Sequence, residues 1–348
     1  MSETMTRPVI ATGYDGSPAG AAALDWATLE ASRTGAIVRS ISVVHYPGMP
    51  AGTPGSAPIL PASLLNRAHE LSAEASSRAG NVLDPDSVET QIVIGAAAEA
   101  LVSATQSVGL LVVGNRGRSE LAASVLGSVS FAVTAHAHCP VVVVSEHAAP
   151  VGPEYGVVVG VDLSPAGERA LDLAADLAAG AGASLRIICA WDLPTADTWA
   201  FAYWETASPD ADWAHTQHAV AARVVAAAVD RVRTQRSGLV LTGDVLQGQP
   251  GAVLGRASRT AGLVVVGSRG LGGFSGLVLG SVSHHVIHSC ACPVMVVRTR
   301  PSERIVSAPE RISPTPAPQE DVMAGSRPVT WWNPEREGRP DDDPHIPP

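Results

Sequence analysis

Lysine is absent from the sequence: all 23 basic residues are arginines. That absence excludes several chemistries at once, because a phosphate-loop lysine, a kinase strand lysine and a Schiff-base lysine are all impossible here. Aromatic residues are scarce at 4%, although 46% of the chain is hydrophobic. A core must therefore be built mainly from Ala, Val, Leu and Ile, which suits buried parallel strands covered by alanine-rich helices. Cysteine is limited to Cys139, Cys189, Cys290 and Cys292, each in or beside an apolar run. That placement predicts buried, inert, reduced thiols, and no pair of cysteines has zinc-site spacing. No apolar run approaches the roughly 18 to 20 residues that span a bilayer, and MSETMTRPVIATG has no signal-peptide core, so a cytoplasmic protein is expected. Positive charge is also short: the net charge of -10 lacks the basic footprint of a nucleic-acid binder and favours solubility.

What the chain does have is a repeat. GYDGSPAG, Gly13 to Gly20, returns as GVDLSPAG, Gly160 to Gly167. Likewise VVGNRGRSELAASVLGSVSFAVTAHAHCPVVVV, Val112 to Val144, maps without a gap onto VVGSRGLGGFSGLVLGSVSHHVIHSCACPVMVV, Val265 to Val297. A self-similar chain is one structural unit written twice. The expected division is a first domain over residues 1–147, a linker at 148–155, a second domain over 156–300 and a Pro-rich tail at 301–348, the joint falling in SEHAAPVGPEYG. In the first unit the pattern predicts strands at Val9–Thr12, Ile37–Val44, Val88–Ile94, Leu110–Val113 and Val141–Val144. Helices alternate with them, the first capped by Ser17 with Pro18 in its opening turn; Ser164 and Pro165 repeat that signal. Five strands separated by helices predict an α/β fold, each unit a five-stranded parallel doubly wound sheet.

In such sheets ligands bind beyond the carboxyl ends of the strands. Gly114 and Gly117 follow one such end, and Gly127 and Ser128 open the next helix nine residues later; Gly267, Gly270, Gly280 and Ser281 repeat the arrangement. Glycines at that place are expected to permit positive φ and close approach of the backbone, forming an anion nest. A helix start adds unpaired amides, a partial positive charge and the serine hydroxyl. Two anion-seeking elements at this separation suit a bent polyphosphate, with Arg116 and Arg269 as added charge. The alternative, glycines that merely turn the chain and serines that cap helices, is the better reading of a single Gly-x-x-G but is strained by two full copies.

Both copies resemble the universal stress protein family in its ATP-binding branch, whose mark is G-x2-G-x9-G-[ST]. The opening V-G-x-D-x-S-P and closing C-P-V segments are similar as well, over almost all of Val9 to Arg298. The resemblance implies two tandem Rossmann-like domains of the adenine nucleotide alpha hydrolase type, ATP as ligand with Mg2+ accompanying it, and a nucleotide-dependent regulator in stress or dormancy rather than an enzyme. By position it implies that Asp15 and Asp162 hold the nucleotide, and that Val113 and Val266 touch the nucleoside. It further implies that Gly114, Gly117, Gly127 and Ser128, with Gly267, Gly270, Gly280 and Ser281, take ribose and phosphates, followed by Val129 and Val282. An aspartate repels phosphate, so its place is expected beside a ribose hydroxyl, the base or a cation, or else as a carboxylate gaining from the helix dipole. The resemblance also implies that Val141–Val144 and Val294–Val297 pair across the domains and that two chains associate as a homodimer.

The copies differ. QGQPGAVL keeps the family's G-x-P turn at Gly248 and Pro250, whereas IGAAAEAL has Ala97 in its place. Arg118, Ser119 and Glu120 stand where the second copy has Leu271, Gly272 and Gly273, which makes the second site the expected stronger one. The loop with Trp191, Trp199, Phe201, Tyr203, Trp204 and Trp213 is a candidate lid or partner surface or packs on its own domain. His284, His285 and His288 lack a completing ligand and are expected on a solvated helix face. The tail, with WWNP at Trp331 to Pro334, has the composition of a disordered segment. No nucleophile elbow or readable carboxylate pair stands out, so an enzyme of a related fold ranks below both the nucleotide-binding regulator and a nucleotide-free interaction scaffold with an unidentified protein partner.

Overall fold

The computed structural model of the chain describes residues 7–45, 61–117, 126–192, 213–270 and 278–299. Outside them lie Arg118, Ser119, Glu120, Leu271, Gly272, Gly273, the aromatic residues Trp199, Phe201, Tyr203 and Trp204, and the tail with its WWNP segment. The first half runs β1 (Val9–Gly13), α1 (Pro18–Thr34), β2 (Ile37–Val44), α2 (Ala62–Gly80), β3 (Val88–Ile94), α3 (Ala97–Ala104), β4 (Leu110–Gly114), α4 (Ser128–His136) and β5 (Val141–Val144). The second repeats it as β6 (Gly156–Gly160), α5 (Pro165–Gly180), β7 (Leu185–Trp191), α6 (Trp213–Gln235), β8 (Leu241–Gln247), α7 (Pro250–Ala257), β9 (Ala261–Gly267), α8 (Ser281–Ser289) and β10 (Val294–Val297).

Local chemistry sets the boundaries that matter for the site. Ser17 caps α1 by accepting from the Gly20 amide at 3.1 Å, Pro18 supplies the first turn, and Gly35 ends the helix at φ 67°. Ser164 does the same for α5 through Gly167 at 3.0 Å. The four valines of β5 and the residues of β10 are all buried, as continuous apolar runs covered on both faces must be.

Each half forms a parallel sheet in the order β3-β2-β1-β4-β5 or β8-β7-β6-β9-β10, and the two join into ten strands through β5 and β10. That junction is antiparallel, with Met295 opposite Val142 and Val294 opposite Val143. Alternate residues then face opposite layers. Val142, Val144, Met295 and Val297 pack with α1, α2, α5 and α6, while Val141, Val143, Val294 and Val296 pack with α3, α4, α7 and α8. Each hydrophobic layer therefore crosses the seam. Alanines at helical spacing, Ala23, Ala27 and Ala31 on α1 and Ala170, Ala174 and Ala178 on α5, are at most 1% exposed, so those helices sit close against the strands. Ion pairs recur at matching places, Arg78 with Asp25 and Arg231 with Asp172, but their partial exposure limits each to about 1 kcal/mol or less. Among the described residues no helix is long and apolar enough to cross a membrane.

The cysteines are unpaired thiols, with Cys139, Cys189 and Cys292 buried and Cys290 half-buried. Burial pushes the thiol pKa up to about 12 at Cys139 and Cys292 and to about 11 at Cys189 and Cys290. A raised pKa means less thiolate at neutral pH, and thiolate is the reacting form. The expected outcome is that a thiol reagent at pH 8 labels the native chain slowly at all four positions and quickly once guanidinium unfolds it. One thiol reacting at the rate of free cysteine in the native state would contradict this environment.

Candidate functional site

The chain leaves β1 at Gly13 and turns through Tyr14 and Asp15 into α1. Asp15 Oδ1 accepts from the Ser17 amide at 3.0 Å and from its hydroxyl at 2.5 Å, and the same serine oxygen receives the Gly20 amide. Asp162 holds Ser164 in the same way at 3.2 and 2.5 Å. Each aspartate thus ties a tight turn to a capped helix and presents its second oxygen to the glycine loop.

The loop follows β4 or β9. A methyl group added at Gly114 would lie 2.7 Å from the Ala19 carbonyl carbon, and one at Gly267 would lie 2.9 Å from Ala166 C and Gly167 N. A methyl at Gly117 would meet Asp15 Oδ2 at 3.0 Å, and one at Gly270 would press still harder on Asp162 Oδ2. None of Gly114, Gly117, Gly127, Gly267, Gly270 or Gly280 has positive φ. The expected left-handed conformation is therefore corrected: Gly114 and Gly267 are glycine to make room between β4 or β9 and the start of α1 or α5, and Gly117 and Gly270 to make room between the loop and the aspartate.

Gly127 and Gly280 are themselves the N-caps of α4 and α8, at φ -71° and -75°, so Ser128 and Ser281 are first helical residues and their hydroxyls do not cap. The loops are pinned by the amides of Gly127 and Gly280 donating to Asn115 and Ser268 at 2.7 and 2.8 Å, and by Asn115 and Ser268 donating to Val144 and Val297. The first bond of α4 runs from Phe131 to Gly127 at 2.9 Å, and that of α8 from His284 to Gly280 at 3.0 Å. The amides of residues 128–130 and 281–283 precede that pattern and form the positive end of each helix. Ser130 and Ser283 hold the loop from below through Gly114 O at 2.6 Å and Ser268 O at 3.1 Å.

In the first half these parts enclose a cleft of about 710 Å3, open mouth included. Ile41, Val43, Ala97, Leu101 and Val113 form its apolar wall, and Asp15, Gly117, Gly127, Ser128 and Val129 its opposite rim. An apolar slot leading to the first-turn amides of a helix can hold a flat ring at one end and an anion at the other. In the second half Asp162, Val266, Gly267, Gly270, Gly280, Ser281 and Val282 occupy the matching places on β9, its loop and α8, with Leu254 below Gly160 as Leu101 lies below Gly13. The first-half wall residues Ile41, Val43 and Leu101 escape a reading of the motif, because they enter from the end of β2 and from α3. Tyr14 escapes it too: it is buried, donates to Glu74 Oε1 at 2.6 Å, and its ionisation is pushed up by burial and by that carboxylate.

Ala97 and Pro250 both open their helices, each two residues after a glycine of positive φ, Gly95 or Gly248. The turn survives without the proline. Arg116 is exposed and Arg269 half-buried. His284 stacks edge-on against Phe131 with centroids 6.0 Å apart, His288 lies beside it, and no group of three metal-ligating side chains occurs among the described residues.

The model of the universal stress protein family matches residues 7–145 and 156–298. A universal stress protein of Mycobacterium tuberculosis is 33% identical over 303 residues, spanning 83% of this chain and 96% of its own length. Another from Mycolicibacterium smegmatis is 34% identical over 313 residues, 86% of this chain and all of the relative. Among solved structures, a universal stress protein from Archaeoglobus fulgidus superposes with a TM-score of 0.57 at 19% identity, covering 85% of this chain and 97% of that one, a likeness of fold.

Gly114→Ala and Gly267→Ala should each destabilise the chain by about 1–3 kcal/mol, because the added carbon meets backbone that cannot swing away. Gly127→Ala, whose carbon would have 3.5 Å to its nearest neighbour, should cost below about 1 kcal/mol. Urea unfolding of the three variants gives the comparison, and a neutral Gly114→Ala would mean that α1 is not seated on β4 as described.

Proposed function

The chain belongs to the universal stress protein family, and from that premise we propose that it is a nucleotide-dependent regulator that binds ATP at the mouth of each half-sheet. The observation that carries this is the pairing of an apolar cleft with the open amides of α4 and their counterpart at α8. The adenine ring and ribose lie along Val113 or Val266 and the β1 or β6 turn. The phosphates reach Gly114, Gly117, Gly127 and Ser128, or Gly267, Gly270, Gly280 and Ser281, with Val129 and Val282 contributing amides.

Asp15 and Asp162 are the only role that needs thought, since a carboxylate beside a polyphosphate is repulsive. Each spends Oδ1 on its own turn and keeps Oδ2 at the loop, where a Mg2+ ion bound with the nucleotide would be held and the repulsion reversed. The donors are amides and hydroxyls, with one carboxylate per half as acceptor. It binds and orients; a group poised to activate a nucleophile is not part of this proposal, so the role is regulatory and the chain no dedicated enzyme. A cytoplasmic location and a homodimer belong to the same proposal.

One observation favours a second arrangement, a scaffold without nucleotide: the space beside Gly114 and Gly267 is already taken by the first turn of α1 or α5. The two separate on chemical analysis of the purified protein. Chain purified gently and then denatured should release ATP, read by mass spectrometry, and calorimetric titration of the stripped chain should recover binding. Gly127→Asp and Gly280→Asp are the informative variants. Aspartate is a favoured N-cap and the nearest atoms stand 3.5 and 3.3 Å from the new carbon, so α4 and α8 persist while a carboxylate takes the phosphate's place. Each should abolish binding in its own half. A wild-type chain that releases no nucleotide and shows no heat with ATP would leave the scaffold standing.

A further inference from the structure

A second cavity, about 970 Å3 with its open mouth, lies at the seam between the halves, where the end of α4 meets the end of β10. It shares Ser268, Arg269 and Gly270 with the second glycine loop and borders the first turn of α5, but its other wall is the end of α4 and the residues after β10 rather than the start of α8. Four of its lining side chains are basic, Arg269, Arg298, His136 and His138, beside the hydroxyls of Ser164 and Ser268, and none of the described residues lining it is a carboxylate. We propose that this seam cavity is an oxyanion site for a phosphate group, distinct from the two sites at the starts of α4 and α8.

The two arginines are set by the fold rather than by each other. Arg298 directs Nη1 at the carbonyls of Thr134 and Ala135 in the last turn of α4, an interaction that also suits the negative end of that helix. The guanidinium carries five donor hydrogens, so that contact does not exhaust it. Arg269 is fixed from behind, its carbonyl 3.2 Å from the Ser164 hydroxyl. Burial, and then the charge of Arg269, make the Arg298 cation less favourable than usual. Two cations thus face one cavity without a described carboxylate in its wall, and a dianion between them would remove the repulsion and accept hydrogen bonds from both.

The repeat provides an internal control. At the matching seam of the other half Arg298 becomes Ser145, His136 becomes Ser289, His138 becomes Ala291, and Thr299 becomes Glu146, leaving Arg116 alone. A packing requirement common to both halves would have kept the same residues. The basic set occurs on one side only, which is what a site of its own would produce, and a stoichiometry of one per chain follows from it.

The test is equilibrium dialysis of the full chain with radiolabelled inorganic phosphate, repeated with the glycine loops blocked by Gly127→Asp with Gly280→Asp or by saturating ATP. The expected result is one phosphate per chain that survives blocking, and is weakened by about tenfold or more in Arg298→Gln. Because Arg298 also braces α4, the exposed pair His136→Ala with His138→Ala is the second probe; it should weaken phosphate binding severalfold with an unchanged melting curve. In the blocked chain, AMP displacing phosphate at lower concentration than phosphate itself would identify an esterified phosphate, and AMP failing to displace it the free ion. Absence of saturable phosphate binding in the wild type overturns the proposal. So does binding that disappears on blocking the glycine loops yet persists in both seam variants.

Discussion

The structure depends on one close approach, the end of β4 against the first turn of α1, repeated as β9 against α5. With no side chain on Gly114 or Gly267, backbone meets backbone, and every other part of the site takes its position from that contact. The aspartate after β1 or β6 can then cap its own turn while its second oxygen reaches the loop glycine. The loop can drop back to the neighbouring strand through Asn115 and Ser268, which delivers the start of α4 or α8 over the sheet's carboxyl edge. A larger residue at the contact would lift the helix, and the aspartate, loop and helix start would separate together. Proximity here is a property of one missing carbon atom per half.

The seam between the halves is a different kind of constraint. Antiparallel pairing of β5 with β10 leaves neither strand as an exposed edge at the junction, and its alternating residues run both hydrophobic layers through the middle of the sheet. Two domains joined by a linker would be free to move; two halves sharing a sheet and two apolar layers are held in register. The seam also brings together residues from distant parts of the sequence, such as Arg298 and the last turn of α4. It is therefore the natural place for the halves to diverge, since each strand end there meets a partner that the repeat does not oblige it to match.

How much of this the sequence reveals depends on whether the cause is local. Caps are local: Ser17 and Ser164 with their prolines are legible three residues at a time, and so are the valine runs whose burial on both faces demands a parallel sheet. The glycine pattern is legible as a pattern, but its physical reason is not. Left-handed backbone and empty space both call for glycine, and only the position of Ala19 and Ala166 across the gap decides for space. The same holds for Ser128 and Ser281, which read equally well as N-caps until the helix start falls one residue earlier. Ile41, Val43 and Leu101 stay hidden because a cleft wall drawn from β2 and α3 has no spacing of its own. What is tertiary in origin leaves no periodic trace.

The missing lysine is the thread that connects composition to mechanism. A phosphate held by a lysine side chain feels a concentrated, movable charge, the device of chains that transfer the phosphoryl group. Here the donors at each glycine loop are amides and hydroxyls fixed by the fold, together with the partial charge of a nine-residue helix. Such donors meet an anion without reorganising, because they are fixed by the backbone that carries them. The occupancy of a site built in this way would be felt directly by the segments that form it. Those segments end at Val144 and Val297, the last residues of the two strands that pair at the seam. Each loop is therefore tied to the junction by a hydrogen bond, from Asn115 to Val144 or from Ser268 to Val297, and a ligand on either loop would bear on the seam through it.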